Sequence, residues 1–382
     1  MRKQMFRGAI LAFVIGSFLF ASTRESKAGK PSVWPDGAQP LTTEGADEWN
    51  PVWSSDGAVL AYHTYRYASP DIFSLELRTG KQTPLIVFHT LPTAFRWIDA
   101  GTQLIFGRPN RGAGKGTTWD ALTRVSREDG RPFSYDLRGT TWYGWDLSAD
   151  GKLLVAAGYA TKPDKHFFLR LFDPRTGEFN DLGLYFPTGM WTINELAVSA
   201  DHTQCALIAE PGRGRDQEVF VVALDSPDGR VRRLTEDGGE KRNPAWSPDG
   251  QTLAYLKKQP RTPSEDPKSE GSRTSRRQGD VHALYMIPAK GGQAKLVLGG
   301  RQSVDAPCWH PSGAQIVCSA GYGKEWHIVS MNVGTGHAKV LTQGAGRDFA
   351  PACSPDGTQI AFVSDRTGDL DIFRLSFKGE GS

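Results

Sequence analysis

The chain has eight histidines, and histidine is the side chain most often used to hold a transition metal. A catalytic metal site would need about three such ligands to converge at one depth of the fold. His202 and His310 instead fall in predicted turns, whereas His63 ends a predicted strand. We therefore interpret the histidines as scattered surface or strand residues, and we predict no metal site and no cofactor. The full set is His63, His89, His166, His202, His282, His310, His327 and His337.

Three aspartates, Asp365, Asp369 and Asp371, lie within one predicted loop at a spacing that could hold a cation. Calcium takes roughly six to eight oxygen ligands, more than this loop supplies. Aspartate also accepts hydrogen bonds from the backbone of turns. We interpret these residues as turn caps.

One twelve-residue segment recurs along the chain and predicts the fold. Its best copy, residues 244–255, reads PAWSPDGQTLAY. The copies are spaced by about 44 to 63 residues, which suits a four-stranded propeller blade with variable loops. The seven copies are residues 51–62, 95–106, 145–156, 196–207, 244–255, 307–318 and 351–362.

Each copy predicts a β-hairpin, because an apolar strand meets Asp-Gly or a close substitute and a second apolar strand follows. A third strand and a fourth strand ending in Leu-Thr come next. The last copy stops after its third strand, and residues 38–42 supply the missing fourth strand from the other end of the chain. We predict an all-β, seven-bladed β-propeller with four antiparallel strands per blade, closed by an N-terminal strand.

The repeat also predicts the core. Trp53, Trp97, Trp246 and Trp309 share one position in it, and we expect them to be buried. Cysteines Cys205, Cys318 and Cys353 fill positions that hold apolar residues in other copies, which favours buried apolar roles over catalysis. A disulfide is permitted in an exported protein, and Cys308 with Cys353, on adjacent inner strands, is the most plausible pair.

The start of the chain predicts export. Basic residues within 2–7 precede an apolar stretch at 8–21, about 14 residues long and short of the roughly 20 that a membrane span needs. We expect residues 1–28 to be a signal peptide, cleaved after Ala21 or Ala28. No lipid-attachment cysteine stands near that site. The expected product is periplasmic or secreted and has no membrane span after cleavage.

Charge excludes one class of partner. Removing residues 1–28 takes away five basic groups and one acidic group, leaving 40 basic and 41 acidic residues. Nucleic-acid binding calls for a strongly basic surface, which a nearly neutral chain does not provide. We predict no nucleic-acid partner.

The Ser-Pro-Asp-Gly turns, the Ile-Ala-Phe strand at 360–362 and the segment SDRTGDLDIF at 364–373 resemble the WD40-like repeats of TolB-type propellers. The resemblance covers residues 31–376 and implies a single propeller domain. It also implies a non-catalytic protein–protein interaction scaffold in the cell envelope. TolB has a small α/β domain before its propeller, and its propeller is usually read as six-bladed, whereas seven repeats are found here. The scaffold role is therefore an analogy from fold.

Repeats of this type are similar to those of oligogalacturonate lyases, which are seven-bladed and use a histidine-rich metal site in the channel. A carbohydrate-binding or polysaccharide-lyase-type propeller that uses the channel mouth is therefore the alternative function. The unlike positions of the histidines favour the scaffold. The sequence leaves open whether the protein is an enzyme, which partner or sugar it binds, and its oligomeric state.

Loops between blades share a face with loops between second and third strands, and this is the usual ligand side of a propeller. Aromatic and arginine side chains are typical of binding hot spots. Trp142, Trp145 and Trp191 cluster there, and packing over their own strands is an equal alternative. The predicted binding face comprises Glu48, Trp49, Asn50, Trp142, Tyr143, Asn194, Glu195, Arg242, Asn243, Asp305, Arg347 and Asp348.

An insertion at residues 257–279 is rich in Pro, Ser, Glu, Lys and Arg and has no apolar side chain to bury besides proline. We predict a disordered loop on the binding face. A solvated spacer is favoured over a tethering arm for an acidic partner.

Overall fold

Strands dominate the described chain, and every predicted repeat forms a blade of four antiparallel strands. In the computed structural model, seven blades make up the propeller. One 3-10 turn, Asp99–Gly101, interrupts the strands. The structure describes residues 34–66, 71–86, 94–109, 119–135, 137, 141–160, 166–184, 192–211, 216–226, 231–260, 280–322, 325–344 and 346–379.

The first four blades follow one another along the chain, and each contains four consecutive strands. Blade 1 is β2 (Glu48–Trp53), β3 (Val59–Thr64), β4 (Asp71–Glu76) and β5 (Gln82–Ile86). Blade 2 is β6 (Phe95–Ile98), β7 (Gln103–Pro109), β8 (Trp119–Ser126) and β9 (Pro132–Ser134). Blade 3 is β10 (Thr141–Leu147), β11 (Leu154–Ala160), β12 (His166–Phe172) and β13 (Phe179–Gly183). Blade 4 is β14 (Thr192–Val198), β15 (Gln204–Glu210), β16 (Glu218–Ala223) and β17 (Val231–Arg233).

The last three blades include the one that joins the two ends of the chain. Blade 5 is β18 (Lys241–Trp246), β19 (Thr252–Gln259), β20 (Val281–Pro288) and β21 (Lys295–Leu298). Blade 6 is β22 (Ser303–Trp309), β23 (Gln315–Tyr322), β24 (Glu325–Asn332) and β25 (Ala338–Val340). Blade 7 is β26 (Asp348–Cys353), β27 (Gln359–Ser364), β28 (Asp371–Ser376) and β1 (Gln39–Pro40).

The Ser-x-Asp-Gly turn between the first and second strands is held by its own side chains. In blade 1 the Ser54 hydroxyl donates to Asp56 at 2.6 Å and accepts the Val59 amide at 3.0 Å. Gly57 takes the left-handed φ of 70° that the turn requires. The same Ser–Asp hydrogen bond recurs at Ser148–Asp150, Ser199–Asp201, Ser247–Asp249 and Ser354–Asp356.

The Leu-Thr pairs after the fourth strands have an equally local cause. Each threonine hydroxyl accepts a backbone amide from the third strand of its blade and so fastens the outer edge. The pairs are Thr42 with Ile372 (2.9 Å), Thr235 with Val219 (2.9 Å) and Thr342 with Ile328 (3.0 Å).

The core lies between the faces of neighbouring blades. One apolar cluster, for example, joins Val155 and Leu169 of blade 3 to Leu207 and Phe220 of blade 4. The repeated tryptophans are buried or half-buried, and each indole donates a hydrogen bond to a first-strand carbonyl of the preceding blade. These bonds are Trp53 to Ala352 (2.9 Å), Trp97 to Val52 (3.0 Å), Trp246 to Ala197 (2.9 Å) and Trp309 to Ala245 (3.0 Å).

The N-terminal strand closes the ring as predicted. Strand β1 pairs antiparallel with β28, and the Leu41 amide extends the ladder to Ile372 at 2.7 Å. Beside this strand Arg366 forms ion pairs with Asp36 at 3.1 Å and with Asp348 at 2.8 Å. All three side chains are almost fully buried. Blade 7 is therefore held by backbone pairing and by a buried ionic triad.

Two details differ from the simple repeat. The backbones of Trp119 and Trp142 pair, so blades 2 and 3 form one continuous eight-stranded sheet.

The predicted loop at 257–279 begins too early, because β19 continues to Gln259 and Lys257 pairs with Ala283 in the ladder. Residues 261–279 and the predicted signal peptide at 1–28 lie outside the described residues.

No helix in the described ranges is both long and apolar enough to cross a membrane.

Candidate functional site

The first strands of the blades form the wall of the central channel, because they contact one another around the ring. This contact runs from β10 through β14, β18, β22 and β26 to β2 and β6. Near the start of four of these strands the pairing shifts and a non-glycine residue takes a left-handed backbone. These residues are Asn50 (φ 57°), Asn243 (φ 53°), Ala306 (φ 47°) and Ala350 (φ 50°).

We call this level of the channel, defined by Asn50, Asn243, Ala306 and Ala350, the bulge rim. A left-handed non-glycine residue costs on the order of 1 kcal/mol, and such strain concentrates at functional sites. A bulge also redirects the side chains beside it. At the bulge rim, four of the first strands therefore depart from regular strand geometry.

Four of the predicted residues meet at the bulge rim, across three consecutive blades. Glu195 of blade 4 accepts the Asn243 amide of blade 5 at 2.6 Å. Arg242, next to Asn243, forms an ion pair with Asp305 of blade 6 at 3.3 Å. Asp305 also accepts the Ala306 amide at 2.9 Å. We call Glu195, Arg242, Asn243 and Asp305 the rim cluster.

The rim cluster is exposed enough to be contacted and buried enough to be ordered. Asn243 is exposed, and the other three residues are half-buried. Burial raises the pKa of Glu195 to about 7, against the lowering effects of the Asn243 amide and the Arg242 charge. Burial and the Arg242 charge also lower the pKa of the neighbouring His282, which keeps that ring neutral at neutral pH. The arrangement offers one cation and hydrogen-bond acceptors at fixed positions.

Four more predicted residues are half-buried and are not members of the rim cluster, although Asn50 is part of the bulge rim and Asn194 directly precedes Glu195. Arg347 is held by Asp365, which accepts its backbone amide at 2.6 Å and its Nε at 2.6 Å. The Asp365 carboxylate therefore binds the residue before β26, whereas the sequence predicted that it caps the backbone of its own turn. The remaining three are Asn50, Asn194 and Tyr143.

Two predicted acidic residues lie in the interior instead of on a contact surface. Glu48 is fully buried and pairs with Arg66 at 3.0 Å. Asp348 accepts the Ser364 hydroxyl at 2.6 Å besides its pair with Arg366. Burial of a carboxylate requires such partners. For Glu48, burial outweighs the contact with Arg66 and raises the pKa to about 7.

Two predicted tryptophans are also interior residues. Trp142 is 2% exposed, and its indole donates to the Leu137 carbonyl at 2.8 Å. Trp49 is buried and stacks on Tyr65, with ring centroids 4.9 Å apart. Tyr65 is 38% exposed and carries the aromatic surface that the prediction assigned to its neighbour. Trp145 is buried, and Trp191 lies outside the described residues.

Sequence reasoning missed Arg66 and Arg366, the cations that hold the two buried acids. A signal was present, since each arginine follows the last residue of a second strand by two positions, in Thr64-Tyr-Arg66 and Ser364-Asp-Arg366. Tyr65 was missed because it is not part of the repeated segment.

His202 and His310 lie in turns between first and second strands, as predicted, whereas His89 lies outside the described residues. His310 replaces the turn serine of blade 6, with Nδ1 2.7 Å from the Ser312 hydroxyl and Nε2 3.0 Å from the Gly357 carbonyl. His202 bridges to Asp150 in the turn of the preceding blade at 2.9 Å. Across the described ranges, no three His, Cys, Asp or Glu side chains form a group that could hold a metal ion.

Comparison with known proteins relates the repeats to TolB. The family model described as the TolB beta propeller domain matches residues 275–382. The chain is 28% identical over 159 residues to a protein TolB homolog of Chlorobium luteolum, covering 42% of this chain and 31% of that protein. It is 34% identical over 100 residues to an uncharacterised protein of Agrobacterium fabrum, covering 25% of this chain and 33% of that protein. The chain thus spans about a third of the length of these curated relatives.

Solved structures show the same architecture. An oligogalacturonate lyase from Vibrio parahaemolyticus superposes with a TM-score of 0.62 at 14% identity, covering 90% of this chain and 94% of that chain. At such low identity the likeness concerns the fold alone. The chain is therefore a seven-bladed β-propeller, and its residues 275–382 match the family model of the TolB beta propeller domain.

Proposed function

We propose that the protein is a non-catalytic interaction scaffold that binds a protein partner at the bulge rim. The observation that carries the proposal is the rim cluster, in which three consecutive blades contribute linked polar side chains to one half-exposed site. A central arginine, held by an ion pair and surrounded by hydrogen-bonding groups, is typical of the residues that dominate protein interfaces.

The groups of the rim cluster favour binding over covalent chemistry. Arg242 and Asp305 form an ion pair, and Glu195 accepts a backbone amide. Such contacts fix side chains in place and so lower the entropy cost when a partner docks. The partner would exchange these contacts for its own polar groups.

We further propose that this scaffold acts in the cell envelope, with residues 1–28 as a cleaved signal peptide and residues 31–376 as one domain. The repeats of the TolB type and the basic and apolar pattern of the first residues support this location. N-terminal sequencing of the protein isolated from an envelope fraction tests it, because an intact Met1 would contradict cleavage.

The test of the binding site is site-specific photocrosslinking in an envelope extract. A photoreactive residue in place of Asn243, at the bulge rim, should give a discrete adduct. The same residue in place of Asp129 should give none, because the β8–β9 turn lies at the opposite end of its blade. Adducts at Asp129 alone would overturn the assignment of the binding face.

We expect R242A to weaken binding of the crosslinked partner by roughly 30-fold, the loss typical of a hot-spot residue. The matched control R131A removes another paired arginine, from the β8–β9 turn, and should bind as the wild type does. Circular dichroism and melting curves must show that both variants fold. Equal affinity of R242A and wild type would contradict the proposal.

A second candidate, carbohydrate binding, is favoured by one observation. The exposed Tyr65 ring, backed by Trp49, resembles the flat aromatic surfaces on which sugar rings stack. Binding of oligogalacturonides to wild type but not to Y65A, together with unsaturated products, would replace the scaffold with this function.

A further inference from the structure

Each blade meets the next through one position of its first strand. In four blades a tryptophan at this position donates its indole N–H to the carbonyl of the residue that precedes the same position in the previous blade. The accepting residues are Val52, Ala197, Ala245 and Ala352. This hydrogen bond ties adjacent inner strands across the blade interface.

Three interfaces lack the tryptophan, and each has another link. Between blades 2 and 3, Arg96 forms an ion pair with Asp146 at 3.3 Å. Between blades 3 and 4, Asp146 accepts the Val198 amide at 3.2 Å. Between blades 6 and 7, Cys353 occupies the tryptophan position and Cys308 the carbonyl position. At this interface alone, the residue at the tryptophan position and the residue at the carbonyl position are both cysteine.

The two cysteines face each other as the tryptophan and its acceptor do elsewhere. Their Sγ atoms are 2.6 Å apart, and Cys353 Sγ lies 3.8 Å from the Cys308 carbonyl oxygen. Both residues are half-buried, whereas Cys205 and Cys318 are fully buried. The separation approaches the disulfide bond length of roughly 2.05 Å, so bonding would need little movement.

We propose that Cys308 and Cys353 form a disulfide that joins blade 6 to blade 7 in place of the indole hydrogen bond. The reaction needs an oxidant, which we assign to a reactive disulfide of the thiol–disulfide exchange class. A thiolate attacks that disulfide and forms a mixed disulfide, and the second thiolate displaces the leaving thiol. The two cysteine S–H bonds and the S–S bond of the oxidant break, and the Cys308–Cys353 S–S bond forms. The two protons and two electrons pass to the oxidant, which becomes two thiols with new S–H bonds.

The surroundings determine how fast this bond forms. The Cys308 thiol and burial raise the pKa of Cys353, so its sulfur is protonated at neutral pH. Burial also raises the pKa of the neighbouring Cys318. Exchange requires a thiolate, and the reaction should therefore accelerate with rising pH.

The experiment uses the full chain, purified reduced and then treated with oxidised glutathione at about pH 8.5. Alkylation after denaturation should count four free thiols before treatment and two afterwards. Peptide mapping should find one crosslink, between Cys308 and Cys353. Four thiols after treatment, or a crosslink that involves Cys318, would overturn the proposal.

Variants separate the crosslink from general oxidation. The C205A variant, changed at a distant buried cysteine, should form the same crosslink and keep one free thiol. The C353A variant should form no crosslink. Oxidised wild type should melt roughly 5 °C above its reduced form, while C353A shows no such difference. An unchanged melting temperature in wild type would refute the role of the bond in joining the blades.

Discussion

Glu195 shows how a single residue of the bulge rim combines burial with recognition. Its carboxyl is half-buried beside Arg242, yet its hydrogen bond comes from the backbone of another blade. Desolvation outweighs these favourable contacts, and the pKa rises to about 7. Near neutral pH this residue therefore exists in both charge states.

The raised pKa predicts a pH-dependent stability. The folded chain holds the Glu195 proton more tightly than the unfolded chain, whose pKa is near the ordinary 4.5. The stabilisation is thus complete below pH 4.5 and is lost as the pH rises through about 7. Urea unfolding should show wild type losing up to roughly 3 kcal/mol relative to E195Q between acidic and alkaline pH.

The control for this prediction is E128Q, which removes an exposed carboxylate from the β8–β9 turn. The free energy of unfolding of E128Q should differ from that of wild type by the same amount at acidic and at alkaline pH. If the difference in free energy of unfolding between wild type and E195Q did not change with pH, Glu195 would ionise normally.

At the scale of the strand, Trp246 links blade 5 to blade 4 by packing and by its indole hydrogen bond. We expect W246A to cost about 3 to 5 kcal/mol, because it leaves a cavity in the interface. W246F keeps most of the ring but leaves the Ala197 carbonyl without this donor, and should cost about 1 kcal/mol from the lost bond. Denaturant unfolding of W246A and W246F separates the contribution of ring packing from that of the indole hydrogen bond.

Y65A is the matched control for Trp246, since it removes an exposed aromatic side chain. It should change the free energy of unfolding by less than about 1 kcal/mol. If W246A were as stable as Y65A, the repeated tryptophans would not stabilise the interfaces between blades.

The strands themselves were predictable from the sequence, but not every side-chain direction was. The turn serines, the Asp-Gly pairs and the repeated tryptophans recur at fixed positions, and local hydrogen bonds explain them. Trp142 and Trp145 would face opposite sides of a regular strand, because they are three residues apart. The pairing shift between Trp142 and Gly144 brings both into one core cluster. Such a bulge leaves no reliable mark in the sequence.

The rim cluster could be predicted only in part, for a similar reason. Its four residues follow from their place before the repeated proline or its equivalent. Their contacts join residues far apart in the chain, 48 positions for Glu195 with Asn243 and 63 for Arg242 with Asp305. The buried positions of Glu48 and Asp348 depend on Arg66 and Arg366, two arginines outside the repeated segment. The contacts of the rim cluster have no local pattern, whereas the two arginines share one, since each lies two positions after the end of a second strand.

At the scale of the whole ring, Asp36 joins the N-terminal segment to blade 7. It pairs with Arg366 and accepts the Gln343 amide at 3.0 Å, with its side chain 1% exposed. We expect D36A to cost about 3 to 5 kcal/mol, because it removes one member of a buried ion pair. Equilibrium unfolding measures the loss.

D129A is the control for ring closure, since it breaks an exposed ion pair with Arg131. Its effect should stay within about 0.5 kcal/mol. Similar stability of D36A and D129A would mean that the ring closes without the ionic triad.

The closing strand has a consequence for the order of folding. Among the described strands β1 leaves the ribosome first, yet its partner β28 is the last to be synthesised. Gln39 meets Arg374 across 335 positions of the chain. Contacts of such long range form slowly, because the loop between them must first be organised. The six blades between them can therefore assemble while synthesis continues, whereas blade 7 can close only after β28 has been synthesised.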